Sequence, residues 1–207
     1  MPSPDQPQRM EQRIVAAAVA VMRDRGVTNA TTKEIAREAG VSEGSLYNHF
    51  ENKTALFGAA FAHVTSGVRA AMQDLFANLG RATVQENLAR FASAAICFYG
   101  ELLPMTGSVL ANPDVLGWLQ RTGRSSGLTQ GHAALERYLA AEQQAGRLSS
   151  RAEPAFIAGC LLGACQHRAF ATLVAGVGTA GAPPGLEVDV DDYAAGIVRV
   201  LLTAQEP

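Results

Sequence analysis

The sequence predicts an all-α protein, with a small N-terminal helical unit joined through one long helix to a larger all-helical domain. Three observations carry that expectation. Apolar residues return every three or four positions over most of the 207 residues, no segment alternates with period two, and capping residues stand at the ends of the periodic runs. With 48% hydrophobic, 17% charged and 6% aromatic residues, the chain can bury a core and is not a disordered tail. Its formal charge of −2 is no basic excess, which taken alone argues against a nucleic-acid partner.

The elements follow in order. Residues 1–8 are rich in Pro and Gln and read as a disordered tail; Arg9, Glu11 and Arg13 then stand where a secretory signal needs an apolar core, so a cytoplasmic protein is expected. Ile14, Ala17 or Ala18, Val21 and Met22 make the buried stripe of a first helix, stopped by Gly26. Thr31 and Glu34 have capping-box spacing and open a short second helix that ends at Gly40. Ser42 can cap a third, from Glu43 to about Phe50, and Asn52 a long fourth, from Lys53 to about Leu79, striped by Phe57, Phe61, Val64, Val68, Met72 and Leu75 and ended by Gly80.

A fifth helix carries Leu88, Phe91, Ala95, Phe98 and Leu102 on one face and is expected to stop at Pro104, with a shorter apolar segment to Asn112-Pro113 and a restart over 114–121. Ser125-Ser126-Gly127 reads as a loop. Leu128, Leu135, Tyr138 and Leu139 give a further helix ending near Gly146, Pro154 opens one that runs to about Ala175, and a last spans 191–204 after a flexible stretch at 176–185. The longest run free of strong polar groups, Pro154 to Cys165, meets Gln166, His167 and Arg168 and is too short for a bilayer, so no membrane partner is expected. No internal repeat is visible.

Residues 31–53 read TTKEIAREAGVSEGSLYNHFENK, with the spacing of a helix-turn-helix (about 32–51): Ala36 where two helices cross, Gly40 where the turn needs positive φ, Leu46 as an apolar plug, and Ile35, Ala39 and Val41 as shared core. The second short helix is left with Glu43, Gly44, Ser45, Tyr47, Asn48 and His49, a polar face suited to a major groove and unlike that of a hairpin that merely packs.

In these residues the chain resembles the tetracycline-repressor (TetR) family of bacterial transcriptional regulators. The likeness runs from Ile14 through Leu56, on Gly26, Thr31-Thr32, Ile35-Ala36, Ala39-Gly40-Val41-Ser42, Gly44, Leu46-Tyr47, Phe50 and Lys53; the rest matches in architecture alone. It implies a DNA-binding domain at 9–55, a ligand-binding and dimerisation domain at 56–207, and a homodimeric regulator, a repressor that a small molecule releases from a palindromic double-stranded operator. By the family pattern Thr32 contacts a phosphate and Lys33 a phosphate or base. Tyr47 and His49 bind phosphates, Glu43, Gly44, Ser45 and Asn48 face base edges beside the capping Ser42, and Lys53 meets a phosphate at the start of the long helix. Glu43 departs from the usual basic or neutral polar residue: its carboxylate repels phosphate yet accepts from cytosine N4, or it is a solvated acid at a helix start.

The family also implies an effector pocket and a four-helix dimer interface. Phe91, Tyr99, Leu103, Met105, Leu110, Trp118, His132, Phe156, Cys160, His167 and Phe170 lie on helices that line such a cavity, which suits an apolar or aromatic effector. Between Ala155 and Ala175 almost every helix face is apolar or small, which demands cover from the chain's own core and from a partner. Gly159, Gly163, Tyr193, Gly196, Ile197 and Val200 are the expected interface residues.

No catalytic residue, metal ligand or cofactor is expected. No Glu lies three residues before His49, His63, His132 or His167, as a di-iron bundle requires, and HExxH, Walker and GxSxG motifs are missing. A metal or redox sensor on the same DNA-binding unit is the nearer rival to an organic-ligand sensor, through Cys97, Cys160, Cys165 or His167. Cys160 and Cys165, however, stand about 140° apart around one helix, and three cysteines without CxxC spacing read as buried, reduced thiols acting as small hydrophobes. A third possibility, a sequence-independent DNA-coating protein, would protect no palindrome.

Overall fold

The computed structural model describes residues 5–113, 117, 126–175 and 186–203, and among these every regular element is a helix. Eight are assigned: α1 (Asp5–Arg25), α2 (Thr32–Glu38), α3 (Glu43–Tyr47), α4 (Lys53–Ala77), α5 (Val84–Leu110), α6 (Ser126–Gln144), α7 (Pro154–Ala175) and α8 (Val190–Thr203). They fall into two compact units, one of residues 1–66 with 101–118 and the other of 67–100 with 119–207. The expected loop at 176–185 and restart at 114–121 lie outside the described residues, apart from Gly117.

In the first unit α1 packs on α2 and α2 on α3. Ile14, Ala18, Met22, Ile35 and Leu46 are fully buried between them, joined by Ala36, Phe50 and Leu56. α1 already includes the end of the expected tail, since it begins at Asp5. Gly26 ends it at φ 76°. The capping box forms as the spacing predicts: the Glu34 amide donates to Thr31 Oγ1 at 3.2 Å and the Thr31 amide to Glu34 Oε2 at 3.3 Å. Gly40, at φ 64°, closes α2 in a Schellman motif, with the amides of Gly40 and Val41 donating to Arg37 and Ala36 carbonyls. α3 is shorter than expected, its last helical residue being Tyr47, but the amides of His49 and Phe50 both donate to the Leu46 carbonyl and continue the turn.

α5 corrects the expected stop at Pro104, because the helix runs through it to Leu110. The proline ring removes one amide donor, and tertiary bonds hold the helix on either side of it. The Val27 amide donates to the Met105 carbonyl at 2.9 Å, Arg23 pairs with Glu101 at 3.1 Å, and Met105 is fully buried. The Ser126-Gly127 loop is likewise overturned, since both residues lie in the first turn of α6. Local preference for a loop is worth under about 1 kcal/mol per residue and yields to packing; Leu135, Tyr138 and Leu139 of α6 are wholly buried.

In the second unit α6 packs on α7 and α7 on α8. The core is Leu75, Leu88, Phe91, Ala95, Leu135, Tyr138, Leu139, Ile157, Leu161, Cys165 and Val198. A polar cluster is embedded in it: Asn87 donates to Tyr138 Oη at 3.1 Å, and Arg147 Nε donates at 2.8 Å to Glu142, whose side chain is fully buried. Arg147 also donates to the Ala82 carbonyl, which ties the α4–α5 turn to the end of α6. At 22 residues α7 is long and apolar enough to cross a membrane by length and composition, but Ile157, Leu161, Cys165 and Arg168 on one face are buried in this unit.

Candidate nucleic-acid interface and surfaces of the second unit

The residues expected to meet DNA lie together on the first unit. Ser42 Oγ accepts from the Ser45 amide at 3.1 Å and so fixes the start of α3. Leu46 is fully buried and anchors that helix, which leaves Glu43, Gly44, Tyr47 and Asn48 exposed and Ser45 and His49 half-buried. Gly44 has no internal reason to be glycine: a Cβ there meets only Ser42 Oγ, at 4.0 Å. Lys33 is exposed on α2, and Lys53 is exposed at the first turn of α4, its ammonium 5.0 Å from the Phe57 ring centroid. Asn52 caps α4, its Oδ1 accepting from the Ala55 amide at 2.9 Å.

Three of these side chains bind one another. Tyr47 Oη donates to Thr32 Oγ1 at 3.3 Å, and Thr32 Oγ1 donates to Glu43 Oε1 at 2.5 Å. Thr32 is only 9% exposed. Glu43 is therefore neither a simply solvated helix-start acid nor turned wholly to a groove, because its carboxylate holds the hydroxyl expected to meet phosphate. Nearby, Glu34 is held below the ordinary carboxylate range, first by the Thr31 hydroxyl.

The described residues among those expected in a pocket stand in different surroundings within their own units. Phe91 and Tyr99 are plain core, and Met105 is core of the first unit, where Leu103 is half-buried. Burial pushes the Tyr99 phenol up. The side chain of Leu110 and all of Trp118 lie outside the described residues. His132 is half-buried with Nδ1 4.0 Å from Glu136, and a Cβ on Gly159 would lie 3.4 Å from its Nε2. Gly159, half-buried, thus lies against α6 within this unit.

Phe156, Cys160, His167 and Phe170 point outward from α7, contrary to their expected place in a cavity. With Gly163 and Val174 they recur at spacings of four and three along one face, Phe156 and Val174 each 70% exposed. Val200 of α8 is 63% exposed. Tyr193, expected at the interface, is engaged within the chain: its ring lies 5.6 Å from the Arg168 guanidinium and its hydroxyl donates to the Ala164 carbonyl at 3.4 Å. Gly196 and Ile197 are half-buried.

A shallow cleft of about 200 Å³ does exist in the second unit, lined by Gly67, Ala70, Ala71, Asp74, Leu75, Asn87 and Arg90. Sequence reasoning missed it; its signal is the smooth Gly67, Ala70, Ala71 patch on α4. Cys97 and Cys160 are exposed, which corrects the expectation of buried thiols, whereas Cys165 is buried and its burial pushes the thiol up to about 12. Among the described residues no three His, Cys, Asp or Glu converge as metal ligands.

Comparison with known proteins bears on the first unit most directly. Residues 14–60 match the family model described as bacterial regulatory proteins, tetR family. The HTH-type transcriptional regulator SrpR of Pseudomonas putida is 45% identical over 51 residues, 25% of this chain and 24% of that protein. The chain aligns with less than half the length of the curated relatives it matches. Over nearly the full length the fold resembles that of a Mesorhizobium loti protein assigned to the TetR family, at TM-score 0.66 and 22% identity, covering 96% of this chain and 97% of that one. FadR of Bacillus subtilis, solved with stearoyl-CoA, gives TM-score 0.65 and 17% identity over 94% of this chain and 99% of its own.

Proposed function

We propose that this chain is a cytoplasmic transcriptional repressor of the tetR type, which its residues 14–60 match, that reads a palindromic operator as a homodimer and is released by a small apolar or aromatic molecule. The observation that carries the reading is the exposed polar face of α3, anchored from below by Leu46 and flanked by Lys33 and Lys53. The two lysines and the hydroxyls of Thr32 and Tyr47 set register on phosphates, and Gly44, Ser45 and Asn48 meet base edges. The open face of α7, from Phe156 to Val174, supports dimerisation, since so large an apolar stripe is costly in water. A dimer would place two copies of α3 at half-sites roughly 34–36 Å apart.

Residues 9–55 form the reading head and residues 56–207 hold effector and partner. Effector binding shifts the population between two tilts of α4, and only by as much as its affinity for the two states differs. Footprinting on the DNA beside its own gene, repeated with apolar and aromatic candidates, tests the proposal. A discrete protected palindrome lost on adding effector is the expected result; uniform protection, or none, overturns it.

A further inference from the structure

The hydroxyl of Thr32 has one proton, and in this structure that proton is committed to another side chain of the protein. The chain of donors runs from Tyr47 Oη to Thr32 Oγ1 at 3.3 Å and from Thr32 Oγ1 to Glu43 Oε1 at 2.5 Å, ending on an anion. A carboxylate and a phosphate oxygen seek the same donors. Thr32 and Tyr47 are also two of the groups assigned above to the DNA backbone, so a phosphate that takes the Thr32 proton must displace Glu43. Glu43 is exposed, at the start of α3 and next to Gly44, so it is free to leave toward the groove.

We propose that Glu43 is a specificity-determining residue that acts as an internal competitor for phosphate. In the free protein it occupies the Thr32 hydroxyl; on DNA it is expelled, and the expelled carboxylate needs a donor. A base edge with an exocyclic amino group, cytosine N4 above all, supplies one. Sequences that offer it recover what was lost, whereas other sequences leave a carboxylate unpaired beside phosphates. Backbone contact and base reading are thereby coupled through one side chain. This rests on the DNA-binding reading above.

The test is a double-mutant cycle in the full-length protein, with Glu43→Ala, Thr32→Val and the pair, titrated against a short mixed-sequence duplex at fixed salt. Charge repulsion alone predicts that Glu43→Ala tightens binding by the same factor whether or not the Thr32 hydroxyl is present. Competition predicts a gain larger by about fivefold or more when the hydroxyl is present, as expected for a lost charge-assisted hydrogen bond. Selection from a randomised duplex pool should show the wild type enriching cytosine at one position per half-site and Glu43→Ala losing that preference. Effects that simply multiply in the cycle, or an unchanged base preference, overturn the inference while leaving DNA binding intact. If the wild type leaves every duplex unbound, the DNA-binding reading itself falls, and the inference with it.

Discussion

Gly26 and Gly40 share a backbone conformation but not a cost of substitution. Both lie in the left-handed region, at φ 76° and 64°. A Cβ at Gly26 would fall 2.6 Å from the Cβ of Ser108, whereas one at Gly40 would meet nothing within 4 Å. Gly40→Ala should therefore cost only the conformational term, about 1 kcal/mol. Gly26→Ala adds overpacking against α5 and should cost about 3 kcal/mol in total. Urea unfolding of the two variants checks the order; equal losses would mean that Ser108 moves aside freely. Both glycines are legible in the sequence as helix stops. The contact that separates them is not, because Ser108 is distant in sequence.

At the scale of elements, local capping signals were readable and long-range anchors were not. Thr31, Ser42 and Asn52 cap the helices that their spacing predicts, whereas Pro104 reads as a stop and is carried through by bonds from Val27 and Arg23. Thr83 and Glu86 form a second capping box with the spacing of Thr31 and Glu34, at the start of α5, a signal overlooked beside the stronger apolar stripe: the Glu86 amide donates to Thr83 Oγ1 at 3.1 Å and the Thr83 amide to Glu86 Oε2 at 3.0 Å. The threonine hydroxyls and amides hold both glutamates below their ordinary range. A depressed folded-state value gives a contribution that is complete above the ordinary glutamate pKa and disappears as pH falls through the lower folded one. The stability gap between wild type and Glu34→Ala should therefore be flat near neutrality and narrow as pH falls from the ordinary glutamate value through the lower folded-state one. A gap that widens in acid contradicts this. Likewise the apolar surplus of α7 was legible, but which residues face outward was not: Phe156, Cys160, His167 and Phe170 suited a cavity equally well by composition.

At the scale of the whole molecule, the three thiols report on the proposed dimer. Cys97 is exposed, Cys160 sits on the open face of α7, and Cys165 is buried with its sulfur donating to the Ala92 carbonyl at 3.6 Å. With its thiol pushed up to about 12, Cys165 stays protonated at neutral pH and should take up maleimide only on unfolding. Cys97 should react at once at any protein concentration. Cys160 should react like Cys97 in dilute protein and more slowly as concentration rises and copies associate. A Cys160 rate independent of concentration would place the interface elsewhere.

In the proposed complex with DNA, placement of charge, rather than its amount, governs binding. Residues 1–60 hold seven basic groups, Arg9, Arg13, Arg23, Arg25, Lys33, Arg37 and Lys53, against seven acidic ones, so even this segment is formally neutral. The structure removes some of those cations from play: Arg23 pairs with Glu101 at 3.1 Å, and Arg25 with Asp24 at 2.8 Å and Glu34 at 3.8 Å. The only two lysines of the chain flank α3, and both are exposed. If these two neutralise one phosphate each, a dimer displaces counterions from four, and the slope of log K against log salt should be about −4. Lys53→Ala should flatten it by about 2 and weaken binding on every sequence alike. Hydroxyl and amide contacts add register without adding to the slope, so binding should be weak on random DNA yet less salt-sensitive than in most groove readers. A slope near −8 would show that arginines such as Arg13 and Arg37 join the interface, and that the neutral total conceals a basic face after all.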